Sequence, residues 1–265
     1  MRSLRSVRAL LSLVVAALPL ACQQHTAAEP ADGASATAPQ PVPAPSRPGE
    51  GTLRPLGPGE RVALNGPRVD AHVGDWVLEN AGKVAVVDAK AGTVIDFGTA
   101  GGDDALVSIE PLVDSGVDDD DCDVVSVEPA DRVLRIERRV TNEPLTLWTF
   151  VSFAGETLRI ESFVTSREPR PSRGITVGEI VSWGNVPTWV EGTGFVTDGG
   201  ELSGEFLARE GLGVAYALGR EGGRIGARFH KPVAGFDERP HTGEQVRVVA
   251  PGETSPRRAV RLAVA

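Results

Sequence analysis

Trp183 and Trp189 bracket the short loop Gly184-Asn185-Val186-Pro187-Thr188. Two indoles and an amide on a Gly/Pro-bearing loop can stack on a sugar ring and hydrogen-bond its hydroxyls, whereas indoles turned inward would only pack. Imidazole supplies an acid and a base near neutral pH. Beyond His25 near the N-terminus the histidines are His72, His230 and His241, with Asp75, Glu179 and Glu205 as carboxylates that could pair with them. The candidate ligand-binding residues are therefore Trp183, Asn185, Trp189, His72 and His230. The acidic run from Asp114 to Asp123 has oxygen ligands of the kind Ca²⁺ takes, but lacks the spaced pattern and closing Glu of a calcium loop, and reads as a solvated loop. Cys122 lies inside that run, where neighbouring carboxylates disfavour the thiolate a nucleophile needs. No Gly-x-Ser-x-Gly, P-loop, His-Glu-x-x-His or Cys-x-x-Cys pattern is present, and Gly98 to Gly102 reads as a turn between strands. No catalytic residue, metal or cofactor is expected.

The elements that must position these residues read as strands. Val84–Val87, Thr93–Ile95, Ala105–Ile109 and Val124–Val127 are short and rich in β-branched residues. In Val133–Val140, Leu134, Ile136 and Val140 share one face, with Arg138 as the exception, and Arg135, Glu137 and Arg139 share the other. In Thr157–Val164, Leu158, Ile160 and Val164 oppose Arg159 and Glu161. Such alternation marks antiparallel strands with one face on a core and one in water. Leu145–Phe153 is apolar on both faces and suits a central strand, with Ala154-Gly155-Glu156 as a three-residue hairpin turn. Further strands are expected at Ile175–Ser182, Gly194–Thr197, Val214–Leu218, Arg224–Phe229, Gln245–Val249 and Ala259–Val264. Roughly fourteen short strands and no helical stripe predict an all-β fold, a large antiparallel β-sandwich over residues 52–265.

Upstream, Arg2, Arg5 and Arg8 precede the apolar run Ala9 to Leu20. This is the pattern of a signal peptide, expected over residues 1–21. As a helix it would reach roughly 18 Å, short of the ~30 Å hydrocarbon core. Pro19-Leu20-Ala21-Cys22 resembles a bacterial lipobox: Ala21 and Cys22 match it, while Pro19 and Leu20 stand where Leu and Ala or Ser are usual. The resemblance implies lipidation of Cys22 and a membrane partner through that anchor. Gln23, where Asp would favour the inner membrane, points to the outer membrane. The rival is cleavage after Thr26-Ala27-Ala28 into a soluble periplasmic protein. Residues 22–51 are mainly Ala, Pro, Ser, Thr and Gly, a composition that cannot offset its ordering entropy and reads as a disordered tether. A formal net charge of −9 argues against a nucleic-acid partner; a glycan or an envelope protein is expected instead.

Gly74-Asp75-Trp76-Val77-Leu78-Glu79-Asn80, Val84–Val87, Gly98–Gly102 and the apolar strand after it, with Val249-Ala250-Pro251-Gly252-Glu253 and Ala259–Val264 at the end, resemble the β-domain of large myxobacterial-type lipoproteins. The likeness spans residues 58 to 265. That domain is similar to the galactose-mutarotase-like supersandwich and stands beside a lipid-anchored terminus. The PHP-type phosphoesterase module that sometimes follows it has no counterpart motif here. The leading expectation is a non-enzymatic envelope lipoprotein. The alternative is a mutarotase-like carbohydrate-binding or carbohydrate-active domain.

Overall fold

Strands with one apolar face need a second sheet to cover it. The computed structural model supplies two. It describes residues 42–114, 122–141, 143–169, 174–184, 187–196, 199–229, 239–248 and 250–265. The chain divides into Met1–Pro39 and Gln40–Ala265; the first part, with the signal peptide, Cys22 and most of the tether, lies outside the described residues.

The strands are β1 (Thr52–Pro55), β2 (Trp76–Asn80), β3 (Lys83–Val87), β4 (Val94–Thr99), β5 (Ser108–Asp114), β6 (Cys122–Ala130), β7 (Val133–Val140), β8 (Leu145–Ala154) and β9 (Thr157–Ser166). They continue as β10 (Ile175–Ser182), β11 (Trp189–Val190), β12 (Gly194–Phe195), β13 (Gly200–Gly204), β14 (Phe206–Gly211), β15 (Val214–Arg220), β16 (Ile225–Phe229), β17 (His241–Val246) and β18 (Arg258–Val264). The first sheet runs β1-β2-β3-β4-β5-β10-β17-β16-β13 and the second β12-β11-β14-β15-β18-β9-β8-β7-β6. The named pairings are antiparallel, and the described residues contain no helix. The expected all-β sandwich is the observed one.

Between the sheets the core has a polar belt. Along β9 the inward residues read Ile160, Ser162, Val164; along β8, Val151, Thr149, Leu147; along β10, Val181, Glu179, Val177; along β7, Ile136, Arg138, Val140. On each strand the first residue belongs to one apolar cluster and the last to another. Much of the belt is hydrogen-bonded internally, although Glu179 Oε1, Arg138 Nη1 and Arg258 Nε are buried without a hydrogen-bond partner. Arg258 of β18 bonds Glu179 across the sandwich. The Thr242 hydroxyl donates to Glu179 Oε2 at 2.7 Å and accepts from Arg258 Nη2 at 3.1 Å. Arg138, the exception in its strand's alternation, is buried and donates to the Ala91 and Gly92 carbonyls, each at 2.7 Å.

Three sequence expectations are corrected. The hairpin loop after β8 has two residues, because Ala154 pairs with Thr157 and Gly155 takes a left-handed φ of 62°. The strand expected at Gln245–Val249 is β17, earlier in the chain; its inward residues include Thr242, a partner of Glu179, as well as Val246, so apolar alternation does not mark its start. The linker expected to reach residue 51 is bonded to the sandwich from Ser46 onward. Ser46 N–H donates to Glu161 Oε1 at 3.1 Å, Glu50 N–H donates to the Phe153 carbonyl, and Glu50 Oε2 accepts from Gly155 N–H at 3.0 Å.

Candidate functional site

The two tryptophans go to different places. Trp183 is 0% exposed, packed in the core, and its Nε1 donates to Thr188 Oγ1 at 3.2 Å; its indole is a packing group, not a platform. Trp189 lies on β11 at the outer face of the second sheet. Asn185 and His230 lie outside the described residues, as does most of the acidic run.

Register explains what surrounds Trp189. Side chains directly opposite across a sheet share a face. Trp189 is opposite Phe195 on one side and Ala208 on the other; Ala208 is opposite Ala217, and Ala217 opposite Ala263. One row across five strands therefore reads Phe195, Trp189, Ala208, Ala217, Ala263. Three alanines leave a depression that two aromatic rings wall off, a shelf of about 350 Å³. Phe206 closes the wall, its ring 5.3 Å from that of Trp189, and Phe195 is 66% exposed. Glu210 and Ala265 edge the shelf.

The next row on the same face is charged. Phe206 is opposite Gly219, Gly219 opposite Arg261, and Arg261 opposite Arg159. Glu221 accepts from Arg261 Nε at 2.6 Å and from Arg159 Nε at 3.1 Å, while Arg159 Nη1 lies 2.7 Å from Glu161. Glu161 is fully buried on what would be a solvent face, because the Ser46 segment and Arg257 cover it. Burial raises the Glu161 carboxyl, but Ser46, Arg257 and Arg159 outweigh it and hold the group below the usual carboxylate range. Glu221 is held low in the same way by Arg159 and Arg261.

The two histidines among the described residues do not converge. His72 is exposed in the loop before β2, its backbone N–H donating to Asp75 Oδ2 at 2.7 Å. His241 is on β17, five strands from β2 in the same sheet, a separation of about 24 Å at ~4.8 Å per strand. His241 lines a groove of about 590 Å³ on the outer face of the first sheet, beside Arg228, Glu201 and Asp114. Leu112 is opposite Gly178 and Gly178 opposite Gly243 across that face, Gly226 is opposite Ser203, and all of these but Gly178 line the groove. Glu205 lies between β13 and β14, 3.7 Å from Arg224. Glu179 belongs to the core belt.

No family model matches the chain, and no curated protein matches its sequence. Solved structures do match. A galactose mutarotase-like protein from Lactobacillus casei is similar at TM-score 0.52, over 72% of this chain and 100% of that one, with 9% identity. The fold is mutarotase-like. The 4-alpha-glucanotransferase of Thermococcus litoralis is similar at TM-score 0.51, over 81% of this chain and 39% of that chain, also with 9% identity. At such identity the likeness concerns architecture alone.

On this mutarotase-like sandwich, sequence reasoning found Trp189 but not the rest of its shelf. Phe195, Phe206 and the alanines were each unremarkable in isolation. The available signal was the two-residue spacing of Ala215 with Ala217 and of Ala263 with Ala265, which puts small side chains together on one strand face.

Proposed function

We propose that this chain is an envelope lipoprotein, anchored through Cys22, whose mutarotase-like domain binds carbohydrate on the Trp189 shelf. The shelf carries the reading. Its alanine floor admits the C–H face of a sugar ring against the indole, and Glu210 on the rim offers an acceptor for hydroxyls. Exposed apolar side chains gathered in one place on a soluble face mark a binding surface. The similar structures, a galactose mutarotase-like protein and a glucanotransferase, support a saccharide as the ligand. The basic start, apolar run and Ala21-Cys22 support export and acylation.

The test is calorimetric titration of the mature chain with methyl galactoside, methyl glucoside and maltoheptaose. Binding is expected, and Trp189→Ala should weaken it at least about tenfold, a loss of about 1.4 kcal/mol. Wild-type affinity in Trp189→Ala, or no binding of any of the three probes, would sink the shelf as the site.

A second reading, carbohydrate-active chemistry, is favoured by the groove that sets His241 beside Glu201 and Asp114. It requires anomer interconversion of free glucose or galactose that His241→Ala abolishes and Trp189→Ala does not.

A further inference from the structure

Asp96, on β4, and Asp104, in the loop between β4 and β5, are both 0% exposed. Asp104 accepts from the backbone N–H of Phe97, the residue after Asp96, which sets the two carboxyls side by side. Asp104 Oδ1 accepts from the Tyr216 hydroxyl at 2.7 Å, from Leu106 N–H at 3.0 Å and from Phe97 N–H at 3.4 Å. Asp96 Oδ1 accepts from Asp70 N–H at 2.9 Å. The second oxygen of each carboxyl, Asp96 Oδ2 and Asp104 Oδ2, is buried and receives no N–H or O–H from any other group.

Two ionised carboxylates so placed would be like charges, desolvated and adjacent, an arrangement that strongly favours retaining one proton. The donor count says where it sits. Asp104 Oδ1 takes three donors, which stabilise a carboxylate, whereas Asp96 Oδ1 takes one. A single hydrogen on Asp96, donated to Asp104, would offset the cost of burying these carboxyl oxygens unpartnered.

We propose that Asp96 and Asp104 share one proton around neutral pH and form a pH-sensitive latch between the two sheets. Both carboxyls belong to the first sheet and reach the second through Tyr216. Tyr216 belongs to β15 of the second sheet, and its hydroxyl accepts from Ala105 N–H at 3.0 Å and Leu106 N–H at 3.2 Å and lies 2.9 Å from the Phe97 carbonyl of the first. Ala215 and Ala217, on either side of Tyr216, border the Trp189 shelf on the opposite face, so the latch stands directly behind that surface.

The charged and titratable groups around the pair are few. Asp70 approaches from the loop before β2. Arg209 of β14 donates to the Ala105 carbonyl at 2.9 Å, and its guanidinium and that of Arg68 both border Gly184. Burial and the adjacent Asp104 keep Tyr216 a neutral hydroxyl by pushing it upward. Burial raises both carboxyls and brings Asp96 to about 7.

An aspartate in the unfolded chain titrates near ~3.9, so the folded state binds this proton more tightly. The stabilisation is fully present below about pH 4 and is lost as pH rises through about 7. Depressed carboxyls such as Glu161 act in the opposite sense and in acid, so the two effects occupy different ranges.

The test is the urea midpoint of the mature chain from about pH 5 to about pH 9 at fixed ionic strength. The wild-type midpoint should fall over this range. Asp96→Asn, whose amide donates permanently to Asp104, should lose most of that fall and exceed the wild type at about pH 8. Asp104→Asn should be the less stable of the two isosteric variants, because it removes the carboxylate that three donors serve. An infrared band of a protonated carboxyl should be present in the wild type at pH 6 and absent in Asp96→Asn. An unchanged pH dependence in Asp96→Asn, or Asp104→Asn as the more stable variant, would overturn the latch. No sugar enters the measurement, so its failure would leave the shelf reading intact.

Discussion

Arg258 and Glu179 meet with side chains 2% and 1% exposed, 79 residues apart in the chain. Removing one partner of such a pair leaves the other charged and desolvated, which costs about 3–5 kcal/mol. Glu179→Gln should therefore lower the urea midpoint severely, while the double replacement Glu179→Leu with Arg258→Met should recover most of the loss. A double variant no better than the single would show that the belt is needed as a polar layer. Sequence showed part of this. Arg138 was visible as a charge on an apolar face, because alternation along one strand is a local property. The partnership of Glu179 with Arg258 was not, because it depends on how β10 and β18 face each other across the sandwich. The same limit applies to the shelf: Trp189 could be picked out by type, but its alanine floor exists only through register on three other strands.

At the level of elements, the segment from Ser46 to Glu50 behaves as a strap. It crosses the outer face of the second sheet at Glu161, passes the β8–β9 hairpin at Gly155, and continues into β1 at the edge of the first sheet. Ser46→Ala removes a hydroxyl that donates to Glu161 and accepts from Arg159. The expected cost is about 1–2 kcal/mol, felt locally: amide exchange and protease cleavage between residues 42 and 50 should accelerate more than the global midpoint falls. Uniform destabilisation across the domain would count against a separable strap. Its composition concealed it. Pro45, Pro48 and Gly49 look like linker, and the contacts that fix them come from residues about a hundred positions later. β7 and β9 were legible because each carries its own alternation, and β8 because its apolar run is continuous. β11, β13 and β14 were not: they are short or rich in Gly and charge, and they are strands only because a neighbour pairs with them.

For the whole molecule, the all-β sandwich was readable from strand density and the lack of helical stripes, and the mutarotase-like architecture agrees with that reading. Attachment to a membrane is a proposal about the N-terminal residues. Cells expressing the chain should incorporate a lipid analogue into it, and Cys22→Ser should abolish labelling and release the protein into the soluble periplasmic fraction. An unlabelled wild type would make it a soluble exported domain with the same shelf.

The strap also sets an order of mechanical failure. A pull arriving along the chain from the N-terminal side meets the side-chain bonds of Ser46 before it reaches the backbone ladder that joins β1 to β2. Those bonds hold a single residue, whereas the ladder joins four residue pairs and resists as a unit. Tension would thus be absorbed first by peeling the strap, lengthening the leash by several residues while both sheets stay closed. Glu161, Arg159 and Arg257 would be uncovered in that stretched state, so the charge displayed beside the Trp189 shelf would report the load on the chain.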